Sequence, residues 1–315
     1  MDFSEYIFIA PPLKKDEQEI PQEISTLNGY EGKPVKKQKL RKRQLWFNIL
    51  FISLLSFAAG WFGILLKSLT GQTNLALSVF LVIPPTGVLI LTLTKKRYDI
   101  NLGLRPNFYK NGCSYTLSFL LIPGLVTVTL AIGKLGGWIS FDGLVNQGIG
   151  SMVSAVVLFF FSDFIKNCLE EFTWRGFFTQ HFYSLGIPDL LNHFLTGIVW
   201  IVWHIPYWFF LLDKASIAAF STLNTGTFVL VGSLFLLALS FVFGEIRLLT
   251  NSTWPAVILH TSLNAITITL LLKGFVIVKT SAEIWLSPGG NSIIFILLLI
   301  IVGIVLNRLR SLKPN

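Results

Sequence analysis

The sequence predicts an all-α fold: a polytopic membrane helical bundle of about eight transmembrane helices. Two observations carry this. Of the 315 residues 53% are hydrophobic and 13% charged, whereas soluble domains carry about a quarter charged residues; the mean hydropathy is +0.67. In addition, apolar stretches long enough to cross the roughly 30 Å hydrocarbon core recur along the chain. They run at about 45–66, 75–94, 112–133, 150–172, 191–212, 227–249, 253–272 and 291–308.

Ahead of the first span, residues 1–44 read as a disordered polar and basic cytoplasmic tail, and 45–310 as the transmembrane bundle. No early apolar core precedes a small-residue cleavage site, so no signal peptide is expected. The tail ends in a basic run, Lys33 to Arg43, with seven Lys or Arg in eleven positions. Such runs also suit nucleic acid, but this one abuts an apolar span, where basic residues mark the cytoplasmic side and attract anionic headgroups. With an even number of spans both termini share a face. Eighteen Lys or Arg then fall on the termini face and five (Lys67, Lys134, Lys214, Lys273 and Lys279) on the other. The expectation is a multi-pass protein of the plasma (inner) membrane with both termini cytoplasmic, membrane lipid as a partner and no nucleic acid. The net charge of +9 follows from this distribution.

Pro84-Pro85 and Pro123 should kink the second and third spans. The two cysteines, Cys113 and Cys168, are too few and too scattered for a disulfide framework or a Cys-type zinc site, and read as small buried hydrophobes.

Polar residues inside the apolar spans carry the chemistry. From Ser151 to about Tyr183 nothing except Gly176 interrupts a helix, and this stretch holds Glu170-Glu171-Phe172-Thr173-Trp174-Arg175. Glu171 and Arg175 stand four apart with the acid first, the better orientation for an ion pair. Glu170 lies about 100° around the axis, which frees it for another task, and Asp163, Lys166 and Glu170 line one stripe. The fifth span contains Trp200 one turn before His204, with Pro206 just beyond. The seventh contains His260 and Asn264, four apart and so on one face. Taken singly, these read as a salt bridge, a packed histidine and interhelical hydrogen bonding. Together they supply a carboxylate base, two imidazoles and an amide donor, the groups that activate a water and hold an oxyanion. Imidazole and carboxylate are also zinc ligands.

The order Glu-Glu-x-x-x-Arg, aromatic-x-x-x-His, His-x-x-x-Asn on successive helices resembles the CPBP family of intramembrane proteases, which includes the CAAX prenyl endopeptidases, bacteriocin-processing and abortive-infection-like proteins. Gly244-Glu245-Ile246-Arg247 and Ser252-Thr253-Trp254-Pro255-Ala256 ahead of His260 are also similar to that family. The likeness covers about 150–270, the expected protease core, and departs from the family at Trp200, where Phe is commoner. The resemblance implies an intramembrane endopeptidase acting on a membrane-associated or lipidated (prenylated) protein or peptide. It implies Glu170 with His204 as activators of water, and His260 with Asn264 as holders of the oxyanion or orienters of the carbonyl. Glu171 and Arg175 would be support that fixes Glu170, and Trp200 would brace the imidazole. No cofactor is certain; if zinc takes part, Glu170, His204 and His260 would hold it. A catalytically silent membrane scaffold or regulator of the same fold is the alternative function. Transport is the weakest reading, since matched interrupted repeats are not evident.

Overall fold

The structure, a computed structural model, describes residues 33–94, 101–290 and 292–312. Among them, eight helices are long and apolar enough to cross a membrane, and the chain is an integral multi-pass membrane protein. In order these are α1 (Lys33–Thr70), α2 (Thr73–Thr94), α3 (Phe108–Leu135), α5 (Ile149–Glu171) with its continuation to Ser184, α7 (Asp189–Pro206), α9 (Thr225–Thr250), α10 (Trp254–Leu272) and α12 (Ile293–Ser311). Shorter helices α4 (Asp142–Gln147), α6 (Gln180–Ser184), α8 (Lys214–Phe220) and α11 (Glu283–Leu286) complete the order. The only sheet among the described residues pairs β1 (Ile139–Ser140) antiparallel with β2 (Ile277–Val278), Ile139 facing Val278.

Several expectations change in detail. α1 begins at Lys33, so the end of the expected tail is helical, while its residues 1–32 lie outside the described residues. The bundle ends with α12 at Ser311. α2 runs through Pro84 and Pro85, and α3 through Pro123, each as one element. Cys113 is exposed on α3 and Cys168 half-buried, rather than both being core residues. The outer faces of the helices carry large exposed apolar side chains, among them Leu50, Leu54, Leu89, Phe161 and Ile301. That pattern is expected where the surrounding medium is as apolar as the side chains.

The largest departure from a straight rod lies after Glu171. Residues Phe172–Thr179 form a π-helical segment before α6 resumes α-geometry. The wider turn is marked by the Thr179 hydroxyl, which donates to the carbonyl of Trp174, five residues back, at 3.2 Å. π-turns inside α-helices are rare and frequent at functional sites. A second π-helical turn, Tyr207–Leu211, follows Pro206. Proline removes one ladder hydrogen bond, and Lys67 donates to the carbonyls of Phe210 and Leu211 at 3.4 and 3.2 Å.

Loop 101–106 folds back against the π-helical segment. A Cβ on Gly176 would stand 2.9 Å from the Leu102 carbonyl oxygen, so only glycine admits this approach. Thr253 donates its backbone N–H to Gly103 and its hydroxyl to Leu102, and the Trp254 indole donates to Leu104. At the other end of the bundle, Glu283 accepts from the hydroxyls of Ser221 and Thr222 and from the Thr222 backbone N–H. This joins the α8 connection to α11.

Candidate active site

α5, α7 and α10 bring the predicted residues to one place. Glu170, Trp200, His204, His260 and Asn264 all line a cavity of about 500 Å³, together with Lys166 and a wall of Phe80, Trp203, Tyr207, Trp208 and Phe235. Glu171 and Arg175 sit behind it, each fully buried.

The two adjacent carboxylates have different partners, as their angular separation on the helix requires. Arg175 donates to Glu171 at 3.0 Å, and His260 Nδ1 lies 2.8 Å from the same carboxylate. Glu171 therefore supports an imidazole as well as pairing with arginine. The guanidinium carbon lies 4.2 Å from the centre of the Trp200 ring and 4.7 Å from that of Phe243, a cation–π packing that suits a desolvated arginine. Glu170 is fixed otherwise than expected. The Trp200 indole N–H donates to it at 3.3 Å, and Lys166 Nζ lies 3.5 Å away. The stripe is completed by Asp163, 4.0 Å from Lys166.

Trp200 is the hub of the site. Its ring centre lies 5.7 Å from that of His260 and 5.9 Å from that of His204, while its N–H reaches Glu170. Its carbonyl oxygen stands 3.0 Å from His204 Nδ1. A carbonyl can only accept, so Nδ1 of His204 carries the hydrogen and Nε2 is the acceptor in the neutral ring. An ionised Glu171 imposes the same tautomer on His260.

Sequence reasoning missed Asn167. It is fully buried, donates to the Thr261 hydroxyl at 3.3 Å and accepts from the Asn264 amide at 3.2 Å. It fixes the orientation of Asn264 relative to α5. The available signal was its spacing four before Glu171, which places an amide on the face that α10 covers. Lys166 was noted only as a member of a stripe, although it is a cation within the cavity wall.

Among the described residues no group of three or more His, Cys, Asp or Glu side chains is placed to hold a metal ion. The proposed zinc set Glu170, His204 and His260 lines a common cavity without closing into such a cluster, so the donor geometry does not fit, and no chemical step is assigned to a metal.

A comparison with curated proteins found no significant match. Residues 152–266 match the family described as type II CAAX prenyl endopeptidase Rce1-like. The match starts near the beginning of α5 and ends two residues past Asn264, so it contains all three polar motifs and the helices that bring them together. Over these residues the chain is similar to the CPBP/CAAX family of intramembrane proteases.

Proposed function

We propose that this protein is an endopeptidase that hydrolyses a peptide bond of a membrane-associated protein or peptide with a water activated by Glu170. The observation that carries the reading is the arrangement around Trp200, where a cavity-lining carboxylate and two imidazoles surround one indole while the neighbouring carboxylate is committed to Arg175. Glu170 takes a proton from the water, and its oxygen attacks the scissile carbonyl carbon. His204, its Nδ1 hydrogen held by the Trp200 carbonyl, offers Nε2 to the second hydrogen of that water and so aims it. The tetrahedral oxyanion receives the amide of Asn264, which Asn167 orients. It also receives Nε2–H of His260 when that ring is protonated, a charge that Glu171 balances. The C–N bond then breaks and Glu170 returns its proton to the leaving amine, so that peptide and water become an acid and an amine. Donors placed in advance where charge develops are worth several kcal/mol in catalysis, about 10²–10³-fold each.

The test is purified wild type beside Glu170→Gln on a panel of fluorogenic peptides, with and without a chelator. Cleavage by wild type, its loss in the variant and resistance to the chelator are expected. Equal cleavage by both proteins would remove Glu170 from the mechanism, and loss of cleavage with chelator would replace the metal-free route.

A further inference from the structure

Two helical stripes face each other across the cavity. α5 with its continuation and α7 run antiparallel, and two hydrogen bonds set their register. Asn192 donates to the Thr179 carbonyl at 2.9 Å, and Trp200 donates to Glu170 at 3.3 Å. Moving forward along α7 from Asn192 to Trp200 therefore matches moving back along the α5 rod from Thr179 to Glu170. One turn further brings His204 level with Lys166, and a second brings Tyr207 level with Asp163. In keeping with this, His204 is within electrostatic reach of Lys166, and Tyr207 of Asp163 and Glu170.

Most polar groups around the reaction centre are engaged by the protein itself. The Trp200 indole is on Glu170, His204 Nδ1 on the Trp200 carbonyl, His260 Nδ1 on Glu171 and the Asn264 amide on Asn167. Two donors in the cavity wall are not engaged in this way. The Lys166 ammonium carries three hydrogens and sits loosely between Glu170 at 3.5 Å and Asp163 at 4.0 Å, with 37% of its side chain exposed. A charge-assisted N–H···O bond is shorter, about 2.7–2.9 Å. The Tyr207 hydroxyl makes no hydrogen bond among the described residues. Its ring is nevertheless fixed, because Phe80 stacks on both Trp203 and Tyr207, with centres 4.0 and 5.7 Å apart. The wall beside these two donors is apolar, with Leu77, Leu81 and Trp208.

We propose that Lys166 and Tyr207 form a substrate subsite, both donating to main-chain carbonyl oxygens of an extended peptide on one flank of the scissile bond. Carbonyls drawn from water into an apolar cavity need such donors, since a buried acceptor left unpaired is costly. The spacing suits a peptide. At 1.5 Å per helical residue, Lys166 lies about 6 Å and Tyr207 about 10 Å along the cavity from the Glu170–Trp200 level. An extended chain advances about 3.3 Å per residue. Lys166 therefore serves the carbonyl two residues from the cleaved bond, and Tyr207 the one three residues away. Asp163 steadies the ammonium from the far side. The substrate is thus a segment unfolded over at least three residues beside the bond that breaks. Its identity as a peptide rests on the protease reading above.

The test uses the full chain in detergent and fluorogenic peptides blocked at both ends, shortened one residue at a time on either flank. Wild type should prefer peptides that keep three residues on one flank. In Tyr207→Phe that preference in kcat/KM should shrink about two- to tenfold, and in Lys166→Met about tenfold or more, mainly through KM. Lys166→Arg should retain it. A loss equal at every peptide length overturns the subsite, because it would leave both residues as scaffold or as holders of Glu170. A Lys166 effect seen only with peptides bearing a free C-terminus also overturns it, since the partner would then be a terminal carboxylate. Tyr207→Phe keeps the stacked ring and decides the matter if Lys166→Met does not fold. In a second arm, binding of the same peptides to Glu170→Gln protein is followed by fluorescence anisotropy. The Tyr207 and Lys166 substitutions, added to Glu170→Gln, should weaken the long peptide more than the short one. Equal weakening, or no binding, overturns the subsite. The expected binding pattern without any cleavage by wild type removes the protease reading and leaves the subsite standing.

Discussion

Two clusters in this bundle are built from the same three residue types, glutamate, histidine and arginine, and one of them lines the cavity of the candidate site. In the first, Glu245 of α9 is held by His193 at 2.9 Å, by Asn307 at 2.9 Å and by Arg310 at 2.8 Å, and Arg310 also pairs with Asp189. The carboxylate is fully buried, and each of its oxygens accepts a hydrogen bond. This cluster ties α12 to α7 and α9. Gly244 lets His193 approach, since a Cβ there would stand 2.0 Å from the imidazole Nδ1. In the second cluster Glu171 is committed through one oxygen to both Arg175 and His260, but Glu170 beside it has one indole hydrogen bond and one lysine contact, both longer, and lines the cavity. Composition therefore does not separate a clamp from the proposed reaction centre. The separating property is a carboxylate that keeps accepting capacity where a substrate can reach it.

The sharpest way to break this contrast is Glu170→Gln. It keeps the shape and removes the base, and kcat/KM should fall by about 10²–10⁴-fold, with the melting temperature in detergent close to that of wild type. A large loss of stability would show that Glu170 is a clamp like Glu245. Glu171→Gln should damage both properties. It leaves the buried Arg175 without its counter-charge, a change that costs about 3–5 kcal/mol, and it frees His260. Thermal unfolding and peptide cleavage, measured together, check this.

Glu245→Gln sharpens the comparison from the other side. Stability should drop by about 3–5 kcal/mol because Arg310 loses its main partner, while kcat per folded molecule, normalised by active-site titration, stays near wild type. A selective fall in kcat would bring the α12 cluster into the chemistry. Trp200→Phe should have the smallest effect. It retains the ring between the imidazoles and deletes one hydrogen bond to Glu170, of about 0.5–1.5 kcal/mol, so cleavage should decline severalfold with KM little changed.

Much of this was legible in the sequence because membrane spans are long, apolar and bounded by charge. All eight spans were found within a few residues, except where helices outrun their apolar stretch, as at Lys33 and Ser184. The helical spacing of Glu171 with Arg175 and of His260 with Asn264 also translated directly, since residues four apart share a face. Contacts between helices did not. That Glu171 would serve His260, or that Asn167 would hold Asn264, depends on how α5 and α10 lie against one another, which no single-helix pattern encodes. The Glu245 cluster was visible only in part, because its partners come from two distant helices, His193 from α7 and Asn307 with Arg310 from α12, that no motif links to Glu245. The π-helical segment escaped as well. Phe172–Thr179 contains no proline, and its wider turn is favoured by tertiary packing around Gly176 and loop 101–106.

That segment also sets where the chain can change length. In an ordinary α-helix, losing one residue swings everything downstream by about 100° and would scramble the registry between the carboxylates and the anchored end of the rod. Across Phe172–Thr179 the backbone already carries a surplus residue, so a one-residue deletion can be absorbed by tightening to α pitch, leaving Gln180 in phase with its partner Arg247. Glu170 and Gln180 are thus joined by an expansion joint, and a one-residue deletion should be better tolerated there than one turn earlier.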